Sequence, residues 1–204
     1  MASGRVAPTR SDDTLPLISL IGMPGGGKST VGRHLARRLG MPMADSDQVI
    51  EQRIGVSIRS FFEREGEERF RDIEQGVIDE LTSGFNGILA TGGGVVLRDA
   101  NRQALRERST VMYLTSTPEA LFRRLRLDSK RPLLRVEDPL ARLRELYAMR
   151  DPLYIQTAHF LVATGRSSIP TLVSTILTQL ELAGVIDPHT IPSVVDPPAP
   201  PRAP

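Results

Sequence analysis

The 204-residue chain has no cysteine, which excludes disulfides, thiolate metal centres and a cysteine nucleophile together. Tryptophan is also absent and aromatics make up only 4% of the residues, so side chains that could stack on bases are scarce. With a net charge of only +2, this does not describe a nucleic-acid binder, which carries a basic patch with aromatics among it. No apolar run approaches the ~18 residues that a membrane span requires. The first fourteen residues hold basic side chains, but no apolar stretch follows them, so no secretory signal is expected. The default expectation is a cytoplasmic protein with no membrane partner. Lysine is nearly missing: 24 of the 26 basic residues are arginine. Composition bias of the genome is the bland reading for most of them, with a specific role as the alternative; a few stand where anion binding calls for a guanidinium.

The ends and the middle of the chain differ. Residues 1–14 are polar and unpatterned and are expected to be a disordered lead. Residues 15–184 suit a single domain with one full core. From 185 onward the chain becomes proline-rich, with seven prolines in its last nineteen residues. Such a tail cannot join a helix or a central strand, so a flexible or polyproline II-like segment is expected. An appendage without function is the simpler reading of it than a docking motif.

Between the tails, short β-like runs alternate with helical patterns, which argues for a parallel sheet covered by helices. Residues 15–22 (LPLISLIG) form a continuous apolar run ending in glycine, as in a buried parallel strand. Val31, Leu35 and Leu39 mark a helix over 28–39. Further strands are expected at 41–45, 87–91, 110–114 and 159–162. Helices are expected at 47–54, at 57–81 with a break at Glu65–Gly66, at 118–126, at 139–150 and at 169–182.

The strongest local signal is Gly22-Met23-Pro24-Gly25-Gly26-Gly27-Lys28-Ser29, which fits the phosphate-binding pattern G-x4-G-K-[ST], with a strand before it and a helix after it. Glycines let successive N–H groups turn inward to phosphate oxygens, and the helix N-terminus adds its positive end. Gly25, Gly26, Gly27 and Thr30 are assigned to the phosphates, Lys28 to the β- and γ-phosphates, and the Ser29 hydroxyl to Mg²⁺. The guanine-reading N-K-x-D is absent, and the strand at 87–91 ends in Thr91-Gly92-Gly93-Gly94 rather than in an apolar run closed by Asp. These features, with the chain's size, point to a small-molecule kinase using ATP.

Past the phosphate loop, the sequence resembles the shikimate kinase family, within the nucleoside monophosphate kinase-like P-loop proteins. The resemblance rests on motifs in series: the loop itself, Asp45-Ser46-Asp47, Gly66-Glu67-x-x-Phe70-Arg71-x-x-Glu74, Thr91-Gly92-Gly93-Gly94, Arg131-Pro132-Leu133-Leu134 and Arg150-Asp151-Pro152-Leu153-Tyr154. They cover about 17–182. The fold then expected is an α/β P-loop three-layer sandwich: a five-stranded parallel sheet of order 2-3-1-4-5, helices on both faces and a mobile lid over about 124–138. The reaction implied is ATP-dependent phosphorylation of the 3-hydroxyl of shikimate by a monomer, with one Mg²⁺.

Strand ends in such a sheet open on the ligand crevice, so Asp45 and Asp47 should face it. Asp45 suits a water of Mg²⁺. Asp47 suits an acceptor hydroxyl, which it would orient or deprotonate, although its place before Val49 and Ile50 also suits helix capping. The resemblance implies the ligand roles for both. It also places Arg71 and Arg150 on the shikimate carboxylate, a task for which the planar guanidinium fork is built. Glu74, three residues after Arg71, would hold that arginine in place. Gly92, Gly93 and Gly94 allow close approach to substrate and are expected to donate N–H groups to it, with a tight exit turn as the alternative. Phe62 and Phe70 are expected to wall the carbocycle, with core packing as the alternative. Arg131 would swing onto the phosphates with the lid, and Arg124 and Arg166 would flank the adenine. The rival readings are a kinase for gluconate or a nucleoside monophosphate, and a catalytically silent ATP-binding module.

Overall fold

The computed structural model describes residues 15–125, 138–165 and 167–187. The expected lead, residues 126–137 of the expected lid (Arg131 among them), Arg166 and the tail from 188 onward lie outside the described residues. The elements run β1 (Leu17–Ile21), α1 (Lys28–Leu39), β2 (Met43–Asp45), α2 (Ser46–Ile54), α3 (Ile58–Gly84), β3 (Gly87–Ala90), a single 3₁₀ turn (Val95–Leu97), α4 (Asp99–Arg108), β4 (Thr110–Thr115), α5 (Pro118–Leu125), α6 (Pro139–Thr157), β5 (Phe160–Ala163) and α7 (Ile169–Leu182).

The strands form one parallel sheet in the order β2-β3-β1-β4-β5, as expected. β1 lies at the centre and all five of its residues are buried, which explains its unbroken apolar run: both faces of the strand are covered. Leu17 and Ile21 point into a core shared with α4, α5 and α6, through Leu105, Leu121, Leu143 and Tyr154. Ile18 and Leu20 point the other way, into a core closed by α1 and α7 through Val31, Leu35, Leu172 and Ile176. A smaller cluster of Ile50, Phe70 and Val77 ties α2 to α3. Among the described residues, no helix is long and apolar enough to cross a membrane.

The register sets the strand ends side by side, Asp45 beside Ala90 and Ala90 beside Leu20. The three segments that leave these ends therefore share one edge of the sheet. The break expected at Glu65–Gly66 is present: Gly66 has φ 82° and ψ 174° inside α3 and divides it into two helical segments.

Two elements differ from the sequence reading. Helix α4 was not expected, because its buried stripe is only Asn101, Ala104 and Leu105, one polar residue and one small one beside a single leucine. Asn101 is buried because its amide donates to Val95 O at 3.0 Å. The second is α6, which runs on through Pro152 to Thr157 rather than stopping near Arg150. Proline ordinarily ends a helix. Here the turn beyond it is held from outside: Tyr154 and Thr157 are buried, and Arg106 donates to Gln156 O, Thr157 O and Ala158 O.

Asp151, just before that proline, accepts a hydrogen bond from the Tyr113 hydroxyl at 2.7 Å, fastening α6 to β4. Burial, and then this bond, hold the Tyr113 phenol far above its ordinary range, so it stays a donor. Tyr113→Phe should lower unfolding free energy by about 1 kcal/mol, the usual net contribution of one intramolecular hydrogen bond. Urea unfolding measures this, and an unchanged midpoint would show that the bond does not anchor α6.

Candidate active site

The phosphate loop turns sharply out of β1. Gly27, at φ 88°, is the residue before α1, a backbone state that side chains other than glycine resist. Gly26 N donates to Met23 O at 3.0 Å, closing the loop on itself. Lys28 is buried and donates from Nζ to Gly22 O at 2.8 Å and to Met23 O at 3.0 Å. In this state its charge braces the loop that carries it.

Asp45 ends β2, and both of its oxygens are used. Oδ2 accepts from Ser29 Oγ at 2.6 Å, and Oδ1 accepts from Asp47 N at 3.1 Å. The capping role that the sequence offered to Asp47 therefore belongs to Asp45, two positions earlier, which leaves the Asp47 carboxylate to face the cleft. A hydroxyl and a carboxylate that meet at 2.6 Å are hard oxygen donors of the kind Mg²⁺ takes while keeping much of its water, so the pair fits that ion. Ser46, to which the sequence reading gave no role, is fully buried and accepts from Gly92 N at 3.0 Å. Gly92 therefore spends its N–H on Ser46 and not on a ligand.

The triple glycine is packed too closely for side chains. A Cβ on Gly92 would lie 2.5 Å from Asp47 Oδ1 and 3.2 Å from Glu74 Oε1; one on Gly93 would lie 2.6 Å from Pro24 Cδ; one on Gly94 would collide with the Arg71 guanidinium. Gly93 O also accepts from Arg150 Nη1 at 3.0 Å and from the Tyr154 hydroxyl.

Arg71 is buried and stands between two carboxylates, with Nη1 to Glu74 Oε2 at 2.7 Å and Nη2 to Glu67 Oε1 at 2.8 Å. The Glu74 contact was expected; the Glu67 contact was not. The guanidinium also lies 5.2 Å from the Phe70 ring centroid and 5.9 Å from that of Phe62, and the two rings pack at 4.6 Å. Phe70 is buried in the α2–α3 cluster and also lines the cleft, so its core packing does not take it away from the cleft. Arg124 donates to Thr164 Oγ1, Thr164 O and Gly165 O, which ties the end of α5 to the segment leaving β5.

These residues surround one cleft of about 970 Å³. Of the expected site residues, Gly25, Gly27, Lys28, Ser29, Thr30, Asp47, Phe62, Phe70, Arg71, Gly92, Gly93, Gly94, Arg124 and Arg150 line it. Gly26 and Asp45 stand behind that wall, and Arg131 and Arg166 lie outside the described residues. The cleft also takes in Arg33, Arg59 and Arg142, which no motif marked. Single arginines on helix surfaces carry no sequence signal that separates them from solvated ones.

The electrostatics single out Asp47. Burial first, and then the neighbouring Asp45, push its carboxyl up to about 6, against the pull of Lys28. Burial likewise pushes Glu74 up, against the pull of Arg71. Arg71 stays charged, since Glu74 and Glu67 outweigh the burial that works against it. Arg150 Nε is buried with no hydrogen-bond partner, so the guanidinium held by Gly93 O through Nη1 keeps an unused donor.

Comparison with known proteins shows the family. The family model described as shikimate kinase matches residues 24–181. The chain is 60% identical over 174 residues to a shikimate kinase of Paracidovorax citrulli (strain AAC00-1), covering 84% of this chain and 95% of that protein. It is 52% identical over 171 residues to one of Ralstonia nicotianae (strain ATCC BAA-1114 / GMI1000), covering 84% and 90%. Among solved structures, the shikimate kinase from Acinetobacter baumannii in complex with shikimate superposes with a TM-score of 0.79 at 45% identity, covering 84% of this chain and 96% of that one. With a match that spans most of its length and relatives at this level of identity, the chain belongs to the shikimate kinase family.

Proposed function

We propose a division of labour in the cleft for the reaction of this family, the ATP-dependent phosphorylation of the shikimate 3-hydroxyl to give shikimate 3-phosphate and ADP. The observation that carries it is that Lys28 and Ser29 of the phosphate loop, Asp47, Arg71 and Arg150 all line a single cleft. The loop N–H groups and Lys28 hold the ATP phosphates, Lys28 exchanging Gly22 O and Met23 O for phosphate oxygens. Ser29, and Asp45 through water, hold Mg²⁺, which supplies charge neutralisation on the phosphates when bound. Arg71 and Arg150 grip the shikimate carboxylate, Phe62 and Phe70 pack on its ring, and the Gly92–Gly94 backbone lets it approach closely.

Asp47 orients the 3-hydroxyl and takes its proton. The hydroxyl oxygen attacks the γ-phosphorus in line, the bond from γ-phosphorus to the bridging oxygen breaks, and ADP leaves. Positioning and charge stabilisation do most of the work. Arg131 is assigned to the phosphates, with closure of a lid over about 124–138, and Arg124 and Arg166 to the adenine; for Arg131 the support is its sequence motif, and for Arg166 the family resemblance alone. We take the working unit to be a monomeric kinase domain over 15–184, in the cytoplasm, with small-molecule partners only.

ADP release by the purified protein with MgATP tests the acceptor. Shikimate should stimulate it strongly, while gluconate, AMP and no acceptor should not. Stimulation by another acceptor would overturn the roles given to Arg71 and Arg150.

Arg150→Ala should raise KM for shikimate about 10- to 100-fold, the effect of losing about 1.4–2.8 kcal/mol of binding, with KM for ATP little changed. Lys28→Ala should cut kcat by about 10²-fold or more. Lys28 is buried with two backbone partners, so its loss should also lower stability by about 1–2 kcal/mol. A variant with full stability would show that the bracing contacts contribute little.

Asp47 gives a pH prediction of two parts. As a base it must be ionised, so kcat/KM should fall as pH drops through about 6, and Asp47→Asn should be slow without that step. Stability moves the opposite way. A carboxyl whose pKa rises on folding from 3.8 to about 6 opposes folding once it ionises, and this penalty grows across that interval as pH rises. The melting temperature of Asp47→Asn relative to the parent should therefore increase from pH 4 to pH 7. A constant difference would show that burial does not shift the group.

A further inference from the structure

Arg71 meets carboxylates before any substrate arrives, and its two partners differ in setting. Nε and Nη2 both donate to one oxygen of Glu67, at 3.2 and 2.8 Å, while Nη1 donates to Glu74 at 2.7 Å. The Glu74 side chain is 1% exposed and that of Glu67 is 59% exposed. Removing Glu74 would strand a buried charge. Glu67 loses little by turning into water, because an ion pair with one partner in solvent is weak. The Nε–Nη2 edge is one that accepts a carboxylate through two parallel bonds. Glu67 fills it with a single oxygen, so a carboxylate that brings two makes the better fork. Glu67 also lines the cleft, with Phe62, Phe70 and Glu63, and follows directly on the non-helical Gly66.

We propose that Glu67 is a placeholder for the acceptor carboxylate: it holds the Nε–Nη2 edge of Arg71 in the empty cleft and is displaced into solvent when an anionic acceptor binds. This rests on the reading that Arg71 grips that carboxylate. Glu67 acts through Arg71, as a specificity-determining residue. In the exchange one carboxylate leaves and one arrives, so the buried guanidinium always has its second anion. An acceptor without a carboxylate leaves the Arg71–Glu67 pair closed and gains nothing from it, so selectivity comes from competition as well as from attraction. The same competition lowers affinity for the true acceptor by the fraction of Arg71 that Glu67 occupies.

Calorimetric titration of the full chain with shikimate and with its uncharged carboxamide tests this, using Glu67→Gln, Glu67→Ala, Glu63→Gln and Arg71→Ala. Both Glu67 variants should bind shikimate about 3- to 10-fold tighter, as release of an occupied site requires, with the carboxamide unchanged. In turnover, KM for shikimate should fall while kcat stays within about twofold. Glu63→Gln removes an equal charge from the same cleft wall and should have less effect than either Glu67 variant. Shikimate binding no tighter in both Glu67 variants would overturn the placeholder. So would equal tightening in Glu63→Gln or for the carboxamide, since either would reduce the effect to a general field. Arg71→Ala separates the two levels of the argument. Unchanged shikimate binding in that variant defeats the carboxylate grip itself, whereas a loss of tenfold or more keeps the grip and leaves Glu67 to be judged on its own variants.

Discussion

One carboxylate, that of Asp45, holds the starts of two helices. Its Oδ2 takes the Ser29 hydroxyl in the first turn of α1, and its Oδ1 takes the Asp47 N–H in the first turn of α2. β2, which carries it, is only three residues long and partly exposed, so strand pairing alone would fix its end poorly. The next residue extends the joint, because Ser46 binds Gly92 N at the exit of β3. Phosphate loop, aspartates and triple glycine thus form one hydrogen-bonded unit across three strand ends. Such a unit holds reacting groups in place more firmly than three separate loops would.

The charges of the site are arranged around that unit so that none is stranded. Lys28 rests on Gly22 O and Met23 O, Arg71 lies between Glu67 and Glu74, and Arg150 donates to Gly93 O. Each of these contacts is with a neutral carbonyl or a nearby acid; under the roles proposed above, those of Lys28 with Gly22 O and Met23 O and of Arg71 with Glu67 are the ones that anionic ligand groups replace, while Glu74 stays on Arg71. On the proposed division of labour, binding swaps partners for cations that are already desolvated, which limits the reorganisation needed at the moment of reaction. Asp47 is the opposite case: burial and a like-charged neighbour disfavour its ionised form. A carboxylate kept in that state costs stability, the usual trade at functional sites.

α6 brings Arg150 to the cleft beside the triple glycine. It carries Arg150 and Tyr154, both bonded to Gly93 O, and it is fastened to β4 by Tyr113 and Asp151. Tyr113 and Tyr154 stack with centroids 4.8 Å apart. The position of Arg150 therefore depends on a buried pair of tyrosines and an aspartate that make no part of the phosphate chemistry.

The local sequence by itself determined the phosphate loop, the five strands, the break at Gly66 and the pairing of Arg71 with Glu74. These depend on period, on glycine chemistry and on a spacing of three residues along a helix, all of which act over short stretches of chain. The sheet order and the ligand roles needed the series of motifs and the resemblance it carries. Only the tertiary structure decided that Asp45 rather than Asp47 caps α2, that Lys28 is buried, that α6 continues through Pro152 and that α4 exists. Three of these turn on groups remote in sequence: Ser29 for Asp45, Arg106 and Tyr113 for α6, and the core on one face of the sheet for α4; Lys28 meets the nearer Gly22 O and Met23 O, carbonyls that only the folded loop turns toward it. A side chain's type and spacing limit what it can bond to, but the partner it takes is set by which distant groups the fold brings within about 3 Å.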